Sequence, residues 1–118
     1  MIVFQHPFYW YSAPALLKEW QDLVLEYGFA YGEGGTHLRG KVWAEALTLG
    51  GSEHAYSRSG HNRFTVHELL APVDQTAHLC GMRFAPPFLV YDALKDIASR
   101  RIATEYRAYI ETLQRGDA

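Results

Sequence analysis

Short apolar runs alternate with segments of helical periodicity along the whole chain, and that alternation restricts the fold more than any other feature. Residues 2–5 (Ile2, Val3, Phe4 and Gln5) form a run that reads as a strand buried on both faces. A helix is expected next, with Ser12 as its N-cap, Pro14 in the first turn and Gly28 as its stop. Leu16, Leu17, Trp20, Leu23, Val24 and Tyr27 share one face of it, opposite Lys18, Glu19, Gln21, Asp22 and Glu26. A glycine-rich loop covers residues 28–40, and residues 41–49 read as a second strand ended by Gly50-Gly51-Ser52. After a polar loop, Thr65 and Glu68 form a capping box that opens a second helix, which Pro72 kinks or splits and Gly81 stops. Residues 84–91 give a third strand, short or bent because Pro86-Pro87 interrupts it. Asp92 is the expected cap of a last helix with Leu94, Ile97, Ala98, Ile102, Tyr106, Tyr109, Ile110 and Leu113 on its apolar face. The order strand-helix-strand-helix-strand-helix implies parallel strands joined by right-handed crossovers, an α/β sandwich.

A length of 118 residues suits one domain, residues 1–118. The formal net charge of −2 offers no footprint for a phosphate backbone, which argues against nucleic acid as a partner. No apolar run approaches the roughly 20 residues of a membrane helix, and the start of the chain lacks the charged segment of a signal peptide. One cysteine, Cys80, permits no internal disulfide, so a reducing cytosol is the expected compartment. Cys80 has no charged sequence neighbour to activate it and reads as a packed helix-end residue.

In open α/β sheets, ligands bind beyond the carboxyl ends of the strands. Two segments fall there. The first carries Phe8, Tyr9, Trp10 and Tyr11 on a turn fixed by Pro7. These four aromatics either stack on a flat heteroaromatic ligand or plug the core above the strand. The second carries Thr48, Leu49, Gly50 and Gly51, where two glycines either let backbone approach a ligand or simply make a tight turn. His61, in the polar loop that follows, is a candidate proton donor because imidazole ordinarily titrates near pH 6.5. Tyr56 stands five residues earlier, and the plain alternative for His61 is a solvated loop histidine. Gly35 to Lys41 matches the glycine and lysine positions of a P-loop, but Val42 stands where Ser or Thr belongs and a strand follows instead of a helix. His67-Glu68 lacks the second histidine of a zinc-protease helix, and the six histidines show no ligand spacing.

The segment from Val3 to Lys18, with Gln5-His6-Pro7-Phe8-Tyr9-Trp10-Tyr11-Ser12-Ala13-Pro14 at its centre, closely resembles the flavodoxin-like NAD(P)H:quinone oxidoreductases. Within them it is most similar to the ancillary proteins of glutathione-gated potassium efflux systems. The match continues through Gly28-Phe29-Ala30-Tyr31-Gly32, Gly40-Lys41, Thr48, Gly50-Gly51-Ser52, His61 and Cys80-Gly81. The resemblance implies a flavodoxin-like three-layer sandwich with a parallel sheet. It also implies hydride transfer from NAD(P)H through FMN or FAD to a quinone. Phe8, Tyr9, Trp10 and Tyr11 stand where the family lines one side of the isoalloxazine ring, and Thr48, Leu49, Gly50 and Gly51 where it lines another. Tyr56 and His61 match the pair that acts beside the flavin. Leu49 replaces a more usual Thr, and Tyr9 a common Gln. A homodimer with the site at its interface is implied, with the aromatic turn and the end of the 28–40 loop as contact surfaces. The ancillary relatives imply a regulatory role on a potassium efflux antiporter at the cytoplasmic face of the inner membrane. Family members open with two further strands and a phosphate-binding loop, whereas this chain starts at their third strand. The resemblance therefore implies an N-terminally truncated member, which is either an enzyme, an ancillary subunit or an inactive fragment.

Overall fold

The computed structural model describes residues 1–96 and 99–117. Four strands form one parallel sheet: β1 (Ile2–Pro7), β2 (Val42–Thr48), β3 (Arg83–Phe84) and β4 (Phe88–Val90). β2 is central. β1 pairs with it from Ile2 opposite Trp43 to Pro7 opposite Thr48. β3 and β4 lie on its other side, opposite Val42 and Trp43 and then Ala46 to Thr48. They are the two halves of the expected third strand. Pro86 and Pro87 carry no N–H, so the ladder breaks there and resumes at Phe88.

The side chains of β1 and β2 alternate across the sheet. Phe4 and Trp43 pack with Ala30, Leu38, Ala77, Cys80 and Met82, and Leu17 and Trp20 close over them. On the opposite face Ala44 and Ala85 pack with Leu113, joined by Val3, Val42, Tyr109 and Ile110. Helices therefore cover both faces. α1 (Ala15–Val24), α2 (Val66–Leu69) and α3 (Ala71–Leu79) supply one layer. α4 (Ala93–Asp96) leads on to α5 (Arg100–Arg115), the cover of the other. This is the expected three-layer α/β sandwich.

Several boundaries differ from the sequence reading. Pro14, not Ser12, occupies the cap position of α1, and the Leu17 N–H bonds its carbonyl at 3.0 Å. α1 stops at Val24, before Gly28, which instead sits at φ +82° in the following turn. Only Leu17 and Trp20 of its expected face pack on the core, while Leu16, Leu23, Val24 and Tyr27 are exposed. Pro72 splits the second helix as anticipated: α2 carries the Thr65–Glu68 capping box, and Pro72 lies in the first turn of α3. Gly81, at φ +69°, follows the end of α3 and donates to the His78 carbonyl at 3.0 Å. Cys80 is buried there, and burial pushes its thiol pKa up, the inert state expected of it. Asp92 does not cap α5. Ser99 does, accepting the Ile102 N–H on its hydroxyl, and Asp92 instead turns the chain at φ +50°. Ile97 and Ala98 lie outside the described residues, and Leu94 is exposed instead of packed.

The glycine-rich loop is built into the core. Ala30 and Leu38 are buried, and a Cβ at Gly35 would lie 2.0 Å from the Tyr31 carbonyl oxygen. Only glycine permits that approach.

Candidate functional site

Both candidate segments leave the carboxyl ends of neighbouring parallel strands, so the topology sets them side by side. The Phe8 N–H donates to the Thr48 carbonyl at 2.9 Å, which extends the β1–β2 ladder by one bond into the aromatic turn. The Leu49 N–H donates to the Val90 carbonyl, and Leu49 in turn accepts from the Ala93 N–H, both at 2.9 Å. Gly51 accepts from the Asp92 N–H at 2.9 Å. The three strand ends are thereby tied together by backbone.

The aromatic turn divides its four rings. Phe8 is buried with Leu47, Leu49, Tyr56, Val66 and Leu70 and meets Tyr56 edge-on, ring centres 6.2 Å apart. Tyr9, Trp10 and Tyr11 form a 3-10 turn whose rings remain exposed, Trp10 at 92%. The two sequence alternatives therefore each describe part of the turn: Phe8 plugs the core and the other three do not. Trp10 (φ 50°) and Tyr11 (φ 62°) both adopt the left-handed conformation. For bulky L-residues that costs on the order of 1–3 kcal/mol each and is found where surrounding structure imposes it, above all at ligand sites.

The second segment behaves similarly. Leu49 turns its side chain into the core, and the bonds to Val90 and Ala93 take up its N–H and C=O, so this residue is buried throughout. A Cβ at Gly50 would meet nothing within 4 Å, and one at Gly51 would press on the Tyr56 ring at 3.1 Å. Gly50 is thus open to solvent, while Gly51 is small because Tyr56 lies against it.

The polar loop reaches the same place. The Tyr11 hydroxyl donates to Asn62 Oδ1 at 3.1 Å, joining the aromatic turn to the residue after His61. Ala55 accepts the Asn62 N–H at 2.9 Å, and a Cβ at Gly60 would lie 2.1 Å from the His54 carbonyl oxygen, so the loop is wound tightly on itself. His61 is exposed on this loop. Tyr56 is buried, and desolvation, with the neighbouring Tyr11 hydroxyl, raises its pKa above the usual phenol value. Tyr56 therefore keeps its proton at neutral pH.

His6 and Glu45 are polar residues that the sequence reading passed over. Glu45 sits in the middle of β2, buried, and its carboxylate faces His6 Nε2 at 2.7 Å. A charged residue inside an otherwise apolar central strand was the available signal, since such a residue is buried only with a partner.

An open shelf of three exposed rings beside a glycine edge suits a flat conjugated ligand. The comparisons with known proteins agree with that class. Residues 1–113 match the family described as Flavodoxin-like fold, and the chain belongs to that family. Among curated relatives it is 44% identical over 110 residues to the uncharacterized NAD(P)H oxidoreductase YdeQ of Bacillus subtilis, covering 93% of this chain and 55% of the relative. It is 48% identical over 113 residues to the glutathione-regulated potassium-efflux system ancillary protein KefG of Pectobacterium carotovorum, covering 96% of this chain and 61% of the relative. The chain thus spans little more than half the length of these relatives. Among solved structures it is similar to general stress protein 14 of Treponema denticola in complex with FMN, with a TM-score of 0.87 and 38% identity over 94% of this chain and 64% of that one. It is also similar to an NADPH-quinone reductase from P. pentosaceus, with a TM-score of 0.84 and 34% identity over 92% and 65% of the two chains.

Proposed function

We propose that this chain carries the ring-binding part of an FMN-dependent NAD(P)H:quinone oxidoreductase. The observation that carries the reading is the strained, exposed Tyr9-Trp10-Tyr11 turn seated beside the open Gly50 edge. Tyr9, Trp10 and Tyr11 would lie along one side of the isoalloxazine ring, and the backbone of Thr48, Leu49, Gly50 and Gly51 would approach it from another. When bound, the flavin supplies two-electron hydride chemistry that no side chain can perform. The protein's own contribution is placement and proton handling. The exposed His61 imidazole can give a proton to a reduced quinone oxygen. Tyr56, protonated and packed on Phe8, holds the floor of the shelf in place. The FMN-bound neighbour, the NADPH-quinone reductase neighbour and the NAD(P)H oxidoreductase relative support the cofactor, the acceptor and the donor.

A second reading is compatible with the first: the chain acts as an ancillary subunit on a potassium efflux antiporter, at the cytoplasmic face of the membrane. The 48% identity to KefG supports it, and no described helix is long and apolar enough to cross a membrane. A homodimer would bring the exposed aromatic turn of one copy against the other. The test is FMN titration followed by quinone-dependent oxidation of NADH and NADPH. Flavin binding with quinone-dependent turnover supports the enzyme reading, and absence of flavin binding overturns it. Co-purification with the antiporter tests the second reading.

A further inference from the structure

β1 and β2 bury a polar chain between them that ends on the backbone of the aromatic turn. The Trp43 indole N–H donates to Glu45 Oε1 at 2.7 Å. Glu45 Oε2 faces His6 Nε2 at 2.7 Å. His6 Nδ1 faces the Pro7 carbonyl oxygen at 2.9 Å. That carbonyl belongs to the peptide joining Pro7 to Phe8, where the strand ends and the turn begins. A carbonyl can only accept, so Nδ1 must carry a hydrogen. Nε2 then either donates to an ionised Glu45 or accepts from a protonated one. Both arrangements hold the same single proton between the two side chains. Without that proton, one of the two ring nitrogens must turn a lone pair on an oxygen, and one bond of the chain is lost.

We propose that His6, held by Glu45 and Trp43, is a positioning residue that seats the aromatic turn only while the His6–Glu45 pair keeps its shared proton. The site it serves rests on the flavin reading above; the seat itself does not. The groups around the pair are few. Lys18 and Tyr11 line the same cavity of about 250 Å³, together with the neutral Gln21 and Thr76. Lys18 is paired with Asp22. Tyr109 on the opposite face is close enough for Glu45 to help hold its hydroxyl protonated, and its pKa is pushed up to about 12, chiefly by burial. Among these groups it is the His6–Glu45 contact, at 2.7 Å, that holds the shared proton. Desolvation pulls the His6 pKa down, but the bonds to Glu45 and Pro7 and the Glu45 charge outweigh it, leaving the value above the usual 6.5.

Glu45→Gln separates the proton from the shape. The oxygen of the new side-chain amide accepts from Trp43 and its NH₂ donates to a neutral His6, so all three bonds survive without the extra proton. Glu45→Leu removes them. The experiment is a pH titration followed by NMR of the His6 ring nitrogens and of the Phe8 and Ser12 amides, with FMN affinity measured at each pH. In the wild type the amide shifts should move with the midpoint of the His6 ring, and FMN affinity should fall about tenfold through it, the scale of one lost charged hydrogen bond. Glu45→Gln should hold the low-pH amide shifts and constant FMN affinity throughout. Glu45→Leu should show the high-pH shifts at every pH. A His6 ring that titrates while the amides stay still, or a Glu45→Gln protein with the wild-type midpoint, overturns the proposal. If FMN fails to bind at any pH while the shifts behave as stated, the seat is supported and the flavin reading is overturned.

Discussion

Trp10 offers a perturbation that separates stability from binding. Its ring is 92% exposed and its backbone sits at φ 50°, ψ 42°. A fully buried Trp removes up to about 250 Å² from water, so the remaining 8% of contact is roughly 20 Å², or about 0.5 kcal/mol. Trp10→Ala should therefore change stability by about 0.5 kcal/mol and keep the left-handed strain. Trp10→Gly removes that strain, about 1–2 kcal/mol for an L-residue, and returns about 0.5–1 kcal/mol as chain entropy. The glycine variant should melt above the alanine variant by roughly 0.5–1 kcal/mol, a few degrees for a domain of this size. Both variants should bind FMN about 2- to 10-fold more weakly, the loss of one stacked aromatic. The assays are thermal melting without ligand and FMN titration by quenching of flavin fluorescence. If Trp10→Ala costs 3 kcal/mol or more, as a core Trp does, and FMN affinity is unchanged, then Trp10 is a packing residue and the shelf argument fails.

Other expectations follow from the same geometry. His61→Ala should lower quinone reduction by about 10²-fold or more while bound flavin stays nearly constant, and unaltered turnover would remove His61 from the mechanism. The raised His6 pKa adds stability that is fully present below about pH 6.5 and is lost as pH rises through the raised value. The other histidines, His37, His54, His61, His67 and His78, are exposed. The urea midpoint should accordingly fall as pH rises above about 6.5 in the wild type and stay flat in Glu45→Gln; a rise in the wild type would contradict the sign. Among the described residues β1 pairs with β2 alone, so these 118 residues should associate through β1 and elute ahead of a monomer in size-exclusion chromatography. Gln5→Lys, a charge at an exposed position of that strand, should shift the elution back to a monomer, and an unchanged profile would place the contact elsewhere.

The layered α/β fold was legible because the strands fall in short, mostly apolar runs and the longer helices keep a 3.6-residue period, signals that burial on one or two faces writes directly into sequence. The Pro86-Pro87 break and the Pro72 split were legible for a covalent reason, the missing N–H. The ends of α1 and the start of α5 were not. Ser12 and Asp92 have the right side chains for caps, but Ser12 lies two residues before the Pro14 cap position, and Asp92 is spent on the turn after β4. The aromatic run was visible as a candidate surface, yet nothing in four consecutive rings says which one turns inward. That choice is made by the bond from Phe8 to Thr48, across a separation of forty residues. The His6–Glu45 contact is similarly nonlocal: the two residues are 39 apart, and only the strand register makes them neighbours.

The two margins of the sheet are unlike, and this bears on how far assembly can run. Endless stacking of sheets needs a head-to-tail contact, one chain's left margin meeting the next chain's right. Here the right margin is the β3–β4 strand, short and interrupted at Pro86 and Pro87, where no N–H is offered to a newcomer. A margin of that kind is a poor template for a further strand, whatever lies beyond β1, so the double proline acts as a terminator on that side of the parallel sheet and denies head-to-tail growth one of the two margins it needs.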